Sequence, residues 1–312
     1  MEEAIKNENT WLEDISRGVI QNQYIIGDII GRGSTSTIHY CLHKGRKKYA
    51  CKIVPKTKLN KFETLTRIHA MLSLQHENIV AVREAYDDAL RVYIIEDLAL
   101  GGELLERLAS CGGYSEKDAA KAIQDAAAAL EYIHDRGIVH GNLRPEKLLY
   151  AQESKESRLL LADIGSATPS MNSYKILYCA PEVIATGKAT SASDIWSLGI
   201  VLYIILCGFE PFRNVEDMFP EIYWNDKTEE AKNLTAWLMQ ERSTDRPTAR
   251  KLLENSWVRG EKTALHSMKK TVQHLREFNA RRKFKAATLA VQATHRAIAL
   301  SSYHDPAVLS TI

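Results

Sequence analysis

The chain has 312 residues, 45% of them hydrophobic and 26% charged, with a formal net charge of +2. That is the composition of an ordinary soluble protein, long enough for a two-lobed globular unit and an appendage. Five cysteines (Cys41, Cys51, Cys111, Cys179 and Cys207) without CxxC spacing argue against a disulfide framework or a zinc site, and suit a reducing compartment.

In chain order, Met1 to Ile20 carries acidic residues and no apolar core, so no secretory signal is expected there and the location should be intracellular, cytoplasmic and also nuclear. From Tyr24 to Asp97, β-branched and aromatic runs (YIIGDII, STIHYCL, KKYACKIV, VYIIED) surround one helical pattern, Lys61 to Leu74, which predicts a small sheet with one helix. After Gly101-Gly102 the pattern is helical. Ser115 caps an alanine-rich run to His134, SASDIWSLGIVLYIILCG forms a deeply apolar helix, and Thr228 to Gln240 forms another. The apolar run Leu198 to Cys207 falls well short of the roughly 20 residues that span a bilayer, so no transmembrane segment is expected. Residues 261–312 hold nine Lys and Arg against three Asp and Glu, a basic tail behind a mildly acidic body. Such a tail suits nucleic acid, an anionic membrane or an acidic protein groove, and charge alone does not choose.

GRGSTSTI at 31–38 lies between two strand patterns, where glycines let a backbone approach phosphates. YACK then places Lys52 on the next strand, followed by HGNLRPEKLLY, LADIGSA, CAPE, SDIWSLG and DRPT. In this order and spacing the sequence resembles a protein kinase. It is closest to the calcium/calmodulin-dependent kinases, type IV above all, through GRGSTS, LCGFEPF, YCAPE and EFNARRKFKAA. The resemblance implies an α+β bilobal protein-kinase-like fold with a small β-rich N-lobe, a larger helical C-lobe and a C-terminal helical regulatory tail. The implied divisions are an N-terminal extension (1–23), the N-lobe (24–98), the C-lobe (99–259) and an autoinhibitory, calmodulin-binding tail (260–312).

Carried over by position, the family's nucleotide site falls on Gly31 and Gly33, on the apolar walls Ile30, Ile38, Ala50 and Leu149, on the hinge from Asp97 to Ala99, on Lys52 for the phosphates, and on Asp163 for magnesium. These residues allow ATP. The departures concern its use. Asn142 replaces the aspartate that accepts the substrate's proton, and an amide has no useful basicity. Lys147 replaces the asparagine that holds the second metal, and its ammonium repels a cation; this argues against magnesium and leaves Asp163 as the one remaining metal ligand. Lys147 would stand in the metal's place beside the phosphates. The glutamate that positions the phosphate lysine falls on Arg67, with Glu63 one turn away as a substitute. Gly141 replaces the arginine that reads a phosphorylated activation loop, and Met171 replaces the phosphorylated threonine. A gap of about a dozen residues follows Pro211-Phe212. His140, Asp194, Glu182 and Arg246 keep the scaffold's bracing pairs.

Glu96 aligns with an interior gatekeeper, where it would pair with Arg67 or Lys52, or, one residue shifted, lies at the hinge surface. In the tail, Arg281, Arg282, Lys283 and Lys285 surround Phe284, Leu289 and Val291, a basic amphipathic helix suited to calcium-loaded calmodulin rather than to a specific nucleic acid. Residues 261–280 would lie across the helical lobe as a lid. The resulting expectation is a calmodulin-regulated pseudokinase, a scaffold for an unidentified protein partner or a nucleotide-binding switch. The alternative is a weak, ATP-dependent serine/threonine kinase.

Overall fold

A computed structural model describes residues 11–12, 19–33, 36–164, 176–211 and 218–302, with side chains described through 285 and at 287 and 288. Met171, the loop tip Ser34-Thr35, the stretch after Pro211 and the last ten residues lie outside it.

The first half is a five-stranded antiparallel sheet in the order β1-β2-β3-β5-β4, built from β1 (Tyr24–Arg32), β2 (Thr37–His43), β3 (Lys47–Pro55), β4 (Val82–Asp87) and β5 (Arg91–Asp97). Helix α1 (Lys61–Ser73) crosses between β3 and β4; the Asn60 side chain caps it by accepting from the Glu63 amide at 3.1 Å. Strand alternation splits the buried residues between two faces. Tyr49, Cys51, Tyr93 and Ile95 pack with Tyr24 on one face, while Val92 and Ile94 pack under Ile68 and Met71 of α1 on the other.

The second half is helical. Its elements are α2 (Leu104–Ser110), α3 (Glu116–His134), α4 (Pro181–Thr186), α5 (Ser191–Cys207), α6 (Glu221–Trp224), α7 (Glu229–Leu238), α8 (Ala249–Leu253) and α9 (Lys269–Ser302), with the two-stranded ribbon β6 (Leu148–Tyr150) and β7 (Leu159–Leu161) after α3. Ser115 and Asp118 form a reciprocal cap on α3, and Thr190 and Ser193 form one on α5. Six of the seven alanines of α3 lie buried beside α5, and fourteen of the seventeen residues of α5 are buried. Hydrophobicity all round therefore marks the centre of the lobe; no described helix is long and apolar enough to cross a membrane.

Gly208 ends α5 at φ +86°, and a Cβ there would lie 2.5 Å from the His274 Cβ of α9. This close seat lets α9 pack along the lobe through Val272, Leu275 and Phe278, which fall on one helical face and are buried, with the buried Met268 just before the helix.

Candidate active site and tail clamp

In an antiparallel sheet, directly opposed residues share a face. Ile38, Lys52 and Ile94 form one cross-strand row, and Tyr40, Ala50, Glu96 and Val82 the next. The β3 register thus sets Ala50, Lys52 and Glu96 on the face that looks towards β6, which carries Leu149. The Ala99 amide makes no hydrogen bond among the described residues, whereas the Asp97 carboxylate is held by Arg83, with Nε at 2.7 Å. Ile30 is 53% exposed at the open edge.

The opposite wall is the loop Val139–Lys147. Asp194 of α5 accepts from the His140 amide at 2.8 Å and the Gly141 amide at 2.9 Å, and His134 Nε2 lies 2.9 Å away. His140 Nδ1 accepts from the Asn142 amide at 3.2 Å, so the Nε2 proton goes to the Ala162 carbonyl at 3.1 Å; burial holds this histidine below its ordinary pKa, in the neutral form that such a pattern requires. Gly141 sits at φ +72°, a conformation that costs a residue with a Cβ about 1–2 kcal/mol. The Arg246 guanidinium grips Glu182 at 2.7 and 2.9 Å and donates to three backbone carbonyls. The bracing framework is complete.

At the centre stands Asp163, at φ +62°. One carboxylate oxygen receives Lys52 and the other receives Lys147 at 2.5 Å. Burial alone would raise the Asp163 carboxyl, but the two ammonium groups outweigh it and hold the carboxyl far below the usual range. Lys52 likewise stays charged: burial pulls its pKa down, and Asp163 and then Glu96 push it above the ordinary value. Both oxygens of the Asp163 carboxylate are thus engaged by lysine ammonium groups.

Two sequence expectations about Lys52 need correction. Glu63 is exposed in the first turn of α1 and makes no bond to Lys52. Glu96 does face the slot, half-buried, but it forms no ion pair with Lys52 or Arg67 among the described residues, because Asp163 takes the lysine. Arg67 stays near enough to disfavour the charged Lys52. Burial raises the Glu96 carboxyl above its ordinary range; Lys52 and Lys147 only partly offset this, and Asp163 adds to it. A carboxyl raised in the folded state penalises the fold as pH climbs from the ordinary glutamate range through the raised value, and costs nothing below. Glu96→Met is therefore expected to increase stability at pH 7.5 by about 1–3 kcal/mol, the scale of an unpaired buried polar group, with the gain shrinking at pH 4.5. Thermal unfolding at the two pH values checks this, and a less stable variant at pH 7.5 would restore a Glu96 ion pair.

The tail makes a second charged constellation that sequence reading did not assemble. Arg282, expected as one of the basic residues of the calmodulin-binding helix, is 6% exposed. It reaches Glu103 at the foot of the hinge, Glu146 at 3.1 Å in the 3-10 turn Pro145–Lys147, and the Asn279 amide oxygen of its own helix. Arg144 also holds Glu146, at 2.6 Å. Burial would raise the Glu146 carboxyl, but Arg144 and Arg282 keep it below the ordinary range. Lys283 pairs with Glu106 at 2.7 Å, and Arg276 donates to the Ala109 carbonyl at the end of α2 at 2.6 Å. The docked face therefore runs past residue 280 into the basic segment. Arg281, Lys285 and Phe284 face outward, Phe284 at 76% exposure. Leu289 and Val291 lie on α9 with side chains outside the described set. Only the carboxylates of GGELLE and RPEK signal this clamp in sequence, and nothing local connects them to Arg282.

A β-rich lobe with a lysine on β3, an aspartate after β7, a braced loop between α3 and β6 and a helical lobe around α5 together define a class. Residues 24–258 match the protein kinase domain family, and the chain belongs to that family. Its relatives include calcium/calmodulin-dependent kinases. Human type IV is 35% identical over 317 residues, covering 94% of this chain and 66% of that protein. Type 1 of Caenorhabditis briggsae is 32% identical over 297 residues, covering 88% and 83%. A calcium/calmodulin-dependent protein kinase of Emericella nidulans is 34% identical, covering 83% and 67%. The chain spans about two thirds of the length of the type IV relatives.

Proposed function

We propose that the chain is a calmodulin-responsive pseudokinase: a folded kinase framework that presents a partner surface and a nucleotide-sized slot, with little or no phosphotransfer. The observation that carries this reading is the Lys147 ammonium on Asp163, where the family's chemistry needs a metal, beside Asn142 in place of a base. A general base contributes roughly 10²–10⁴ in rate, and the missing metal position removes further stabilisation of the transferring phosphoryl group.

The same lysines suit a second use. Lys52 and Lys147 supply two positive charges at the inner end of the slot, so ATP can be held by exchanging Asp163 for phosphate oxygens without a metal. The apolar walls Ile38, Ala50 and Leu149 and the Ala99 amide support an adenine ring. The tail supplies regulation: calcium-loaded calmodulin offers an acidic rim and an apolar groove to Phe284 and the surrounding basic residues, and binding there requires α9 to leave Glu103 and Glu146. The partner that reads the exposed surface is a protein of unidentified sequence.

The runner-up is a weak serine/threonine kinase, favoured by the retained Lys52–Asp163 pair and by family membership. One experiment separates the two. ATP is expected to raise the melting temperature equally with magnesium and with a chelator, and radiolabelled phosphate transfer to basic peptides to stay at background. A strict magnesium requirement overturns the metal-free slot; transfer comparable to the relatives' and abolished by Lys52→Met overturns the pseudokinase reading.

A further inference from the structure

Asp87 ends β4 with its side chain 1% exposed. Three donors converge on its carboxylate: Lys56 Nζ at 2.6 Å, the Trp11 amide at 2.6 Å and the Leu12 amide at 3.3 Å. Two of the three come from a segment far upstream of the sheet. Leu12 is fully buried among Ile68 and Met71 of α1, Ala85 of β4, and Val92 and Ile94 of β5. Trp11 packs at the rim of this cluster, with the Lys56 ammonium 4.8 Å from its ring centroid, a cation–π distance.

We propose that this groove between α1 and the β4–β5 edge is a docking site for a bent aromatic–aliphatic dipeptide, filled in cis by Trp11-Leu12, and that its seating supports α1. The recognition chemistry has three parts. A buried carboxylate reads two consecutive backbone amides, which a bend at Trp11 turns to the same side. A closed apolar pocket takes a leucine-sized side chain, and a cation takes the ring. Lys56 alone would leave Asp87 with one donor; the segment completes it.

Ile68 and Met71 of α1 pack with Leu12, and Arg67 is the neighbour of Ile68 on the same helix. Emptying the groove removes the support under α1. The site shares no residue with the tail clamp, so it is independent of the calmodulin reading.

In the full chain, Leu12→Asp places a charge in the apolar pocket and releases the segment. A cis ligand competes at an effective concentration near the millimolar range. A fluorescent peptide of residues 8–16 is therefore expected to bind the Leu12→Asp chain at least about tenfold more tightly than the unaltered chain, and the same peptide carrying Leu12→Asp should bind neither. Equal binding to both chains, or none to the Leu12→Asp chain, overturns the proposal. If that variant does not fold, Trp11→Ala replaces it: hydrogen exchange should quicken in residues 61–73 and stay unchanged in residues 191–207, and an unchanged rate in 61–73 overturns the proposal.

Discussion

Asn142→Asp alone is expected to leave phosphotransfer at background, whereas the triple variant Asn142→Asp, Lys147→Asn, Arg67→Glu should raise it by roughly 10²–10⁴, the contribution of a general base once the metals can bind. The argument turns on Asp163. A new aspartate at 142 restores a proton acceptor but leaves Lys147 on the Asp163 carboxylate, so no metal neutralises the phosphates. Lys147→Asn frees one oxygen of Asp163 and supplies an amide ligand. The second oxygen is freed only when Lys52 has another anion to hold, and Arg67→Glu provides it in place of a like charge. Initial-rate phosphorylation of a basic peptide across the single, double and triple variants checks the order. Full recovery with Asn142→Asp alone would show that neither Lys147 nor Arg67 blocks the chemistry.

Removal of the Arg282 side chain should act on the tail with comparable force. It takes Arg282 away from Glu103 and leaves Glu146 with Arg144. Breaking one side of a buried ion pair costs about 3–5 kcal/mol, and the 29% and 23% exposure of the two carboxylates places this case at the lower end. Arg282→Ala is thus expected to loosen α9, seen as faster hydrogen exchange along residues 269–285. It should also tighten calcium-dependent calmodulin binding by the whole chain towards that of a free peptide of residues 274–300. Phe284→Ala should do the reverse. Its ring is 76% exposed and contributes little to docking, but losing a desolvated aromatic anchor costs at least about 2 kcal/mol in a complex, so calmodulin binding should weaken more than tenfold with stability unchanged. Calmodulin titrations of both variants decide: equal weakening by both would make Arg282 a calmodulin contact and the clamp irrelevant to release. Acid should mimic Arg282→Ala. A carboxyl held below its ordinary range stabilises fully above that range and loses its contribution as pH falls through the lowered value, which is the case for Glu146.

The sequence by itself determined the order of lobes, the central helices and the positions at which the site departs from the family's pattern. Period and capping are local properties: Asn60, Ser115, Thr190 and Thr228 each cap the helix that follows them, and the apolar run of α5 is long enough to mark a core helix from composition alone. Asn142 and Lys147 are legible as losses because an amide lacks basicity and an ammonium lacks acceptors wherever they sit. Strand β4 was not legible, because VREAYD is half charged; its pairing with β5 and the burial of Ala85 and Tyr86 are supplied by the rest of the sheet.

Which charge meets which was decided only by the tertiary structure. Lys52 had two candidate glutamates in sequence, Glu63 and Glu96, and the fold gave it Asp163 instead; among the described residues Glu96 faces the slot without an ion pair, and Glu63 is exposed. Arg282 read as one of four equivalent tail cations, yet it alone is buried between carboxylates 179 and 136 residues away in sequence. Trp11-Leu12 carried no recognisable pattern, and its pocket is assembled from α1, β4 and β5. Ion pairing and pocket filling depend on distances of a few ångströms between distant segments, and residue type and spacing along one chain do not contain those distances.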